Sequence, residues 1–126
     1  MLEDAKLIGF IATARPEAAR AFYEETLGLR LLEESEHGFA FMSGGQMLRL
    51  QKVGDFKPHR FTAAGWAVPD LVATLKRLAA SNVPAIQYDG LEQDELGIWS
   101  PATGVKIAWF RDPDGNTLSL TEFPDT

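Results

Sequence analysis

The chain contains no cysteine in its 126 residues. That excludes disulfides, thiolate metal ligands and a cysteine nucleophile. Histidine is scarce: His37 and His59 are the only two, each in a polar turn or linker, where an imidazole is far more often solvated than catalytic. Positive charge is short as well, with 12 Lys and Arg against 18 Asp and Glu, a formal net charge of −6 and a pI near 4.8. No basic stripe is present, and an acidic surface repels phosphate backbones, so nucleic acid is not an expected partner. Apolar runs are only a few residues long, too short to span a membrane. Met1-Leu2-Glu3-Asp4 carries acid where a secretory signal carries base, so the expectation is a cytoplasmic protein with no membrane partner. There is no Ser-His-Asp arrangement, phosphate loop, nucleotide fingerprint or low-complexity segment.

What is present is an ordinary globular composition, 45% hydrophobic and 24% charged, in a chain of single-domain length. A weak internal repeat runs through it. Gly45-Gln46-Met47-Leu48-Arg49-Leu50-Gln51 matches Gly115-Asn116-Thr117-Leu118-Ser119-Leu120-Thr121: a turn glycine, an amide residue, then an alternating strand with Leu at matching places. Upstream of each copy lies a strand and an amphipathic helix.

The spacing predicts a strand over 6–13, then a helix opening at Ala14-Arg15-Pro16-Glu17 and running to about Thr26. Ala18, Ala21 and Phe22 mark its buried stripe, and Gly28 stops it. Strands follow at 29–34, 39–42 and 46–53, with a hairpin at Ser43-Gly44-Gly45. Residues 54–60 are a short polar linker. The second half opens with a strand at 61–68. A helix then enters at Pro69-Asp70, with Leu71, Leu75, Leu78 and Ala79 on one face, and ends at Ser81-Asn82. A short strand at 84–88, a long acidic loop at 89–104, and strands at 105–110 and 116–122 around Asp112-Pro113-Asp114-Gly115 complete it. The expected fold is α+β: two βαβββ modules, 5–53 and 61–123, joined by the linker 54–60 in one domain over 1–126. Ile8 aligns with Ala63 at an offset of 55 and Arg49 with Ser119 at 70, the extra residues falling in the 89–104 loop and the longer final turn.

Phe22-Tyr23 followed by Leu27-Gly28, the Val68-Pro69-Asp70-Leu71 helix start, and Asp112-Pro113-Asp114-Gly115-Asn116 running into Leu118-Ser119-Leu120 are all present in order. With these motifs across two βαβββ units, nearly the whole chain resembles the vicinal-oxygen-chelate superfamily, also called the glyoxalase/bleomycin-resistance/dioxygenase superfamily. The resemblance implies a curved mixed-sheet cup with helices outside, and often a homodimer. In the superfamily's metal enzymes, His, Gln or Glu ligands come from the first and last strands of each module. The matching positions here are Ile8, Ala63, Arg49 and Ser119. Ile and Ala cannot ligate, Arg repels a cation, and Ser is a weak ligand. A register shift by one reaches Leu7, Gly9, Ala64, Leu48 and Leu118, which offer nothing. A shift by two reaches Met47, Gln51, Thr117 and Thr121, which supply one plausible donor. No metal ligand set and no cofactor is therefore expected.

If those positions face the cup, so do their period-two neighbours. The candidate ligand-binding residues are Phe10, Met47, Arg49, Gln51, Trp99 and Ser119. Phe10 and Met47 offer apolar surface, and Arg49 a planar donor fork suited to a carboxylate. Arg49 has a second reading, as a partner of Glu122 or another acid at the sheet rim. Trp99 lids the cup, packs at a subunit interface or folds back on its own domain. Trp66 and Trp109, in strands, are expected in the core, and Tyr88 at the rim. Glu33, Glu34 and Glu36 are expected to face solvent, while Glu92, Asp94 and Glu95 are candidate general bases. No catalytic residue is assigned. The leading expectation is metal-independent binding of a small organic molecule, aromatic or anionic, as in the drug-sequestering branch of the superfamily. The alternative is a metal-dependent lyase, isomerase or dioxygenase of the glyoxalase type.

Overall fold

The structure, a computed structural model, describes residues 1–125. The chain divides near Pro58 into two compact units. In the first, β1 (Ile8–Thr13) is followed by α1 (Pro16–Ala21), β2 (Arg30–Ser35), β3 (Gly38–Ser43) and β4 (Gln46–Lys52). They form one mixed sheet in the order β1-β4-β3-β2, with β1 parallel to β4 and the other pairs antiparallel. In the second, β5 (Thr62–Ala67), α2 (Leu71–Ala80), β6 (Lys106–Arg111) and β7 (Thr117–Glu122) give a mixed sheet in the order β5-β7-β6. The fold class is α+β, as the sequence pattern requires.

Each sheet keeps one face for packing. Strand residues point alternately to the two sides, and in β4 Leu48 and Leu50 are buried while Met47 and Arg49 are half-buried. Ile11, Phe39, Phe41, Leu48 and Leu50 form the sheet side of the first core, and Ala19, Phe22 and Tyr23 the helix side. The helix contributes differently from expectation. Pro16 starts it, with Thr13 Oγ1 accepting from the Arg15 amide at 3.1 Å. After Ala21 it widens into a π-helical turn over Phe22–Thr26. The wider turn lets two adjacent aromatics face inward together. Phe22 meets Tyr23 edge-on at 5.3 Å, and Tyr23 reaches Phe41 at 6.0 Å. Ala21 is exposed instead and Ala19 is buried, so the expected stripe is rotated.

In the second unit Leu71, Leu75 and Leu78 carry the helix face and Ala79 is exposed, one residue short of the expected stripe. Asp70 caps the helix, its side chain accepting from Ala73 N at 3.0 Å. Glu122 Oε1 accepts from Leu71 N at 2.9 Å and so ties the last strand to the helix start. Asn82, at φ 61°, closes the C-terminus in the left-handed conformation.

The strand expected at 84–88 does not form. Pro84 has no amide hydrogen, and one bond, Ile86 N to Trp109 O at 2.8 Å, ties the segment to β6. The Gln93 side chain takes the groups that would extend a ladder. Its Nε2 donates to Ile86 O at 2.9 Å and its Oε1 accepts from Tyr88 N at 2.7 Å. The second unit is therefore β-α-β-β.

Gly38 sits where β3 starts against β4, and a Cβ there would lie 1.8 Å from the Leu50 carbonyl oxygen. Gly44, at φ 56°, has open space around it. Gly44→Ala is expected to cost about 1 kcal/mol from backbone conformation alone. Gly38→Ala should cost more, about 2 kcal/mol or above, because backbone must move. Guanidinium denaturation midpoints at equal slope check the order of the two.

Candidate functional site

The packed face determines what the opposite face carries. In the parallel pairing of β1 with β4, Ile8 lies beside Met47, Phe10 beside Arg49 and Ala12 beside Gln51. Burying Ile11 and Leu48 on one side leaves Ile8 46% and Phe10 56% exposed on the other. Four expected site residues, Phe10, Met47, Arg49 and Gln51, thus share the open face of the first sheet. Met47 is half-buried and Gln51 exposed.

Arg49 is not paired with Glu122, which lies against Leu71 N and Lys106. Its Nη2 donates to Glu33 Oε1 at 3.3 Å. A bulge makes this possible. The β2–β3 register shifts between Leu31 and Glu33, so Leu32 is the extra residue and Glu33 comes opposite Ala40. Ala40 in turn is opposite Arg49. An inserted residue changes which face the following side chains take. Glu33, Glu34 and Glu36 are all exposed, as expected, with Glu34 also paired with Arg20 and Glu36 at 3.4 Å from His37.

In the second unit, Ser119 stands between Gly65 on β5 and Trp109 on β6. The approach to Gly65 is close, since a Cβ there would meet Ser119 Oγ at 2.2 Å. Trp109 is half-buried and belongs to this open face, not to the core. Its chain neighbours Ala108 and Phe110 face inward and are buried. The signal was present in the sequence. A hairpin turning about Asp114 sets Trp109 opposite Ser119, and Ser119 was already placed on the open face. Trp109 Nε1 donates to Thr62 Oγ1 at 3.2 Å. Trp99 folds back on its own unit, bridging Gln93 and Ile107, with its ring 5.9 Å from Trp109. Tyr88 meets Trp109 edge-on at 5.5 Å. Trp99, Trp109 and Tyr88 form an aromatic cluster beside Ser119. Ala63, aligned with Ile8, is the extra residue of a second bulge.

The 89–104 loop is a knitted structure. Asp94 Oδ1 accepts from Leu96 N at 2.9 Å and Ile98 N at 2.8 Å, so this carboxylate organises the loop. An open depression of about 380 Å³ lies against Glu92, Gln93, Asp94, Ile98, Trp99 and Ser100. His59 stacks on Phe61 at 4.7 Å.

The residues do not fit the divalent cation that the superfamily's metal enzymes hold. The four strand positions carry Ile8, Arg49, Ala63 and Ser119, and Arg49 brings a fixed positive charge. Among the described residues no group of three or more His, Asp or Glu is placed to hold a metal ion, and no buried side-chain polar atom lacks a partner.

Two mixed sheets, each led by a strand parallel to its neighbour and each followed by a helix, define an α+β protein of duplicated design. The chain belongs to the Glyoxalase/Bleomycin resistance protein/Dioxygenase superfamily, whose family model matches residues 7–120. No curated protein matches it in sequence. Among solved structures it is similar to a Bacillus anthracis protein described as a glyoxalase family member, with a TM-score of 0.77 and 20% identity, covering 95% of each chain. It is also similar to the lactoylglutathione lyase of Agrobacterium tumefaciens, with a TM-score of 0.71 and 20% identity over 94% of this chain and 93% of that one. A glyoxalase/bleomycin resistance protein/dioxygenase from Alicyclobacillus acidocaldarius matches with a TM-score of 0.71 and 16% identity, over 97% and 93%. At these identities the likeness is one of fold.

The β6–β7 turn aligns Trp109 with Ser119, and Asp112 holds that turn. Its carboxylate, 6% exposed, accepts from the amides of Asp114 and Asn116 and from Asn116 Nδ2, each at 2.9 Å. Asp112→Ala should lower stability by about 2 kcal/mol or more. Denaturant unfolding followed by tryptophan emission checks this.

Proposed function

We propose that the protein binds a small organic molecule, aromatic or anionic, on the open faces of its strands and without a metal. The observation that carries this reading is Phe10, 56% exposed, lying in register beside Arg49. A large apolar ring left open beside a fixed cation suits an amphipathic ligand better than it suits water. The aromatic cluster around Trp109 supports the same reading, since flat π-surfaces hold aromatic ligands by offset or edge contacts. Superfamily membership supports it through the drug-sequestering branch, where binding is the whole activity. The protein then works as a homodimer in the cytoplasm.

The second reading is a metal-dependent lyase, isomerase or dioxygenase. It is favoured by the likeness to the Agrobacterium lyase. It requires donors at strand positions that hold Ile8, Ala63 and Arg49.

Titration with naphthol, read by tryptophan emission, separates the two. Binding should be saturable and unchanged by a chelator, with no stoichiometric metal in the purified protein. A tightly held metal, or affinity that rises about tenfold with a divalent ion, would establish the second reading. Light scattering should return about twice the 13.9 kDa chain mass.

A further inference from the structure

A row of side chains crosses all four strands of the first sheet: Phe10, Arg49, Ala40 and Glu33 are successive register partners on β1, β4, β3 and β2. The Arg49 side chain reaches Glu33 by passing over Ala40, a residue only 1% exposed. A larger residue at that position would stand in its way. The bulge at Leu32 is the other requirement, since without it Glu33 would face the core side. Two local features therefore bring one carboxylate onto this guanidinium.

The carboxylate is held loosely. One hydrogen bond of 3.3 Å joins the pair, Glu33 is 59% exposed and Arg49 35%. An ion pair this open contributes little to stability, because water competes for both partners. A guanidinium carries five donors in a planar fork that matches a carboxylate two bonds at a time. Glu33 takes one of them, and Met47 Sδ is a weak acceptor at 3.7 Å. The fork is underused, and beside it stand the exposed Phe10 ring and the Met47 thioether, both good surfaces for an aromatic ring.

We propose that Arg49 anchors an aromatic monocarboxylate and that Glu33 is its built-in competitor. The ligand's carboxylate takes the guanidinium fork with two bonds, its ring lies on Phe10 and Met47, and Glu33 swings out into water. A monoanion is favoured over a dianion because Glu33 and a chain of net charge −6 oppose added negative charge. This inference rests on the binding function proposed above and specifies its ligand class. It also gives the absent metal site a chemical counterpart, a fixed organic cation that grips two neighbouring oxygens.

Calorimetric titration of the whole protein with naphthoate and with its neutral counterpart naphthalenemethanol tests this. The wild type should bind naphthoate more tightly. Glu33→Gln should raise naphthoate affinity about two- to fivefold, the range set by an exposed ion pair, and leave the alcohol unchanged. Arg49→Gln should lower naphthoate affinity about tenfold, with Arg49→Lys intermediate, and again spare the alcohol. Equal binding of the two probes, or naphthoate binding that ignores both substitutions, would overturn the inference while leaving the broader binding function standing. Absence of binding by either probe overturns both. Because Glu33 is an exposed residue, its variant carries the test even if Arg49→Gln fails to fold.

Discussion

Alternation along the central strands is the constraint from which the candidate site follows. Leu48, Leu50, Leu118 and Leu120 must be buried if each sheet is to have a core, and the strand pleat then presents Met47, Arg49, Ser119 and Thr121 on the other side. A slip of one residue would put Arg49 among Ile11, Phe39 and Phe41, where an unpaired charge is prohibitively costly. The core therefore sets the site's composition before any function acts on it.

The two units use the same plan with different contents. In the first, the exposed Phe10 ring lies in register beside Arg49. In the second, small residues on β5 leave Ser119 against Gly65, and three aromatic rings gather beside it. Both differ from the metal enzymes of the superfamily at the positions where ligands are expected. The same backbone positions remain and carry Ile8, Arg49, Ala63 and Ser119.

Several elements departed from the sequence reading, each for a local reason. The first helix widens to bury Phe22 and Tyr23 together, because two large rings outweigh two alanines in excluding water. The 84–88 segment is not a strand, because Gln93 satisfies its backbone groups from the side. Trp109 is an open-face residue although tryptophan in a strand is usually core. Hydrophobic periodicity counts apolar residues but does not see a side-chain amide from a neighbouring loop, nor the volume that a core will accept.

The sequence by itself determined the order of helices and strands outside residues 84–88, the α+β class, and the face on which Phe10, Met47, Arg49, Gln51 and Ser119 fall. Those follow from period-two patterning and turn residues, which are local and therefore visible in a linear string. Tertiary structure alone decided that Arg49 meets Glu33 and not Glu122, and that Trp99 lies against Trp109. Both depend on register: a single extra residue at Leu32 in one case, and in the other the bridge that lays the long loop beside β6. Register is set by how whole strands pair in space, so it is not written in either strand alone.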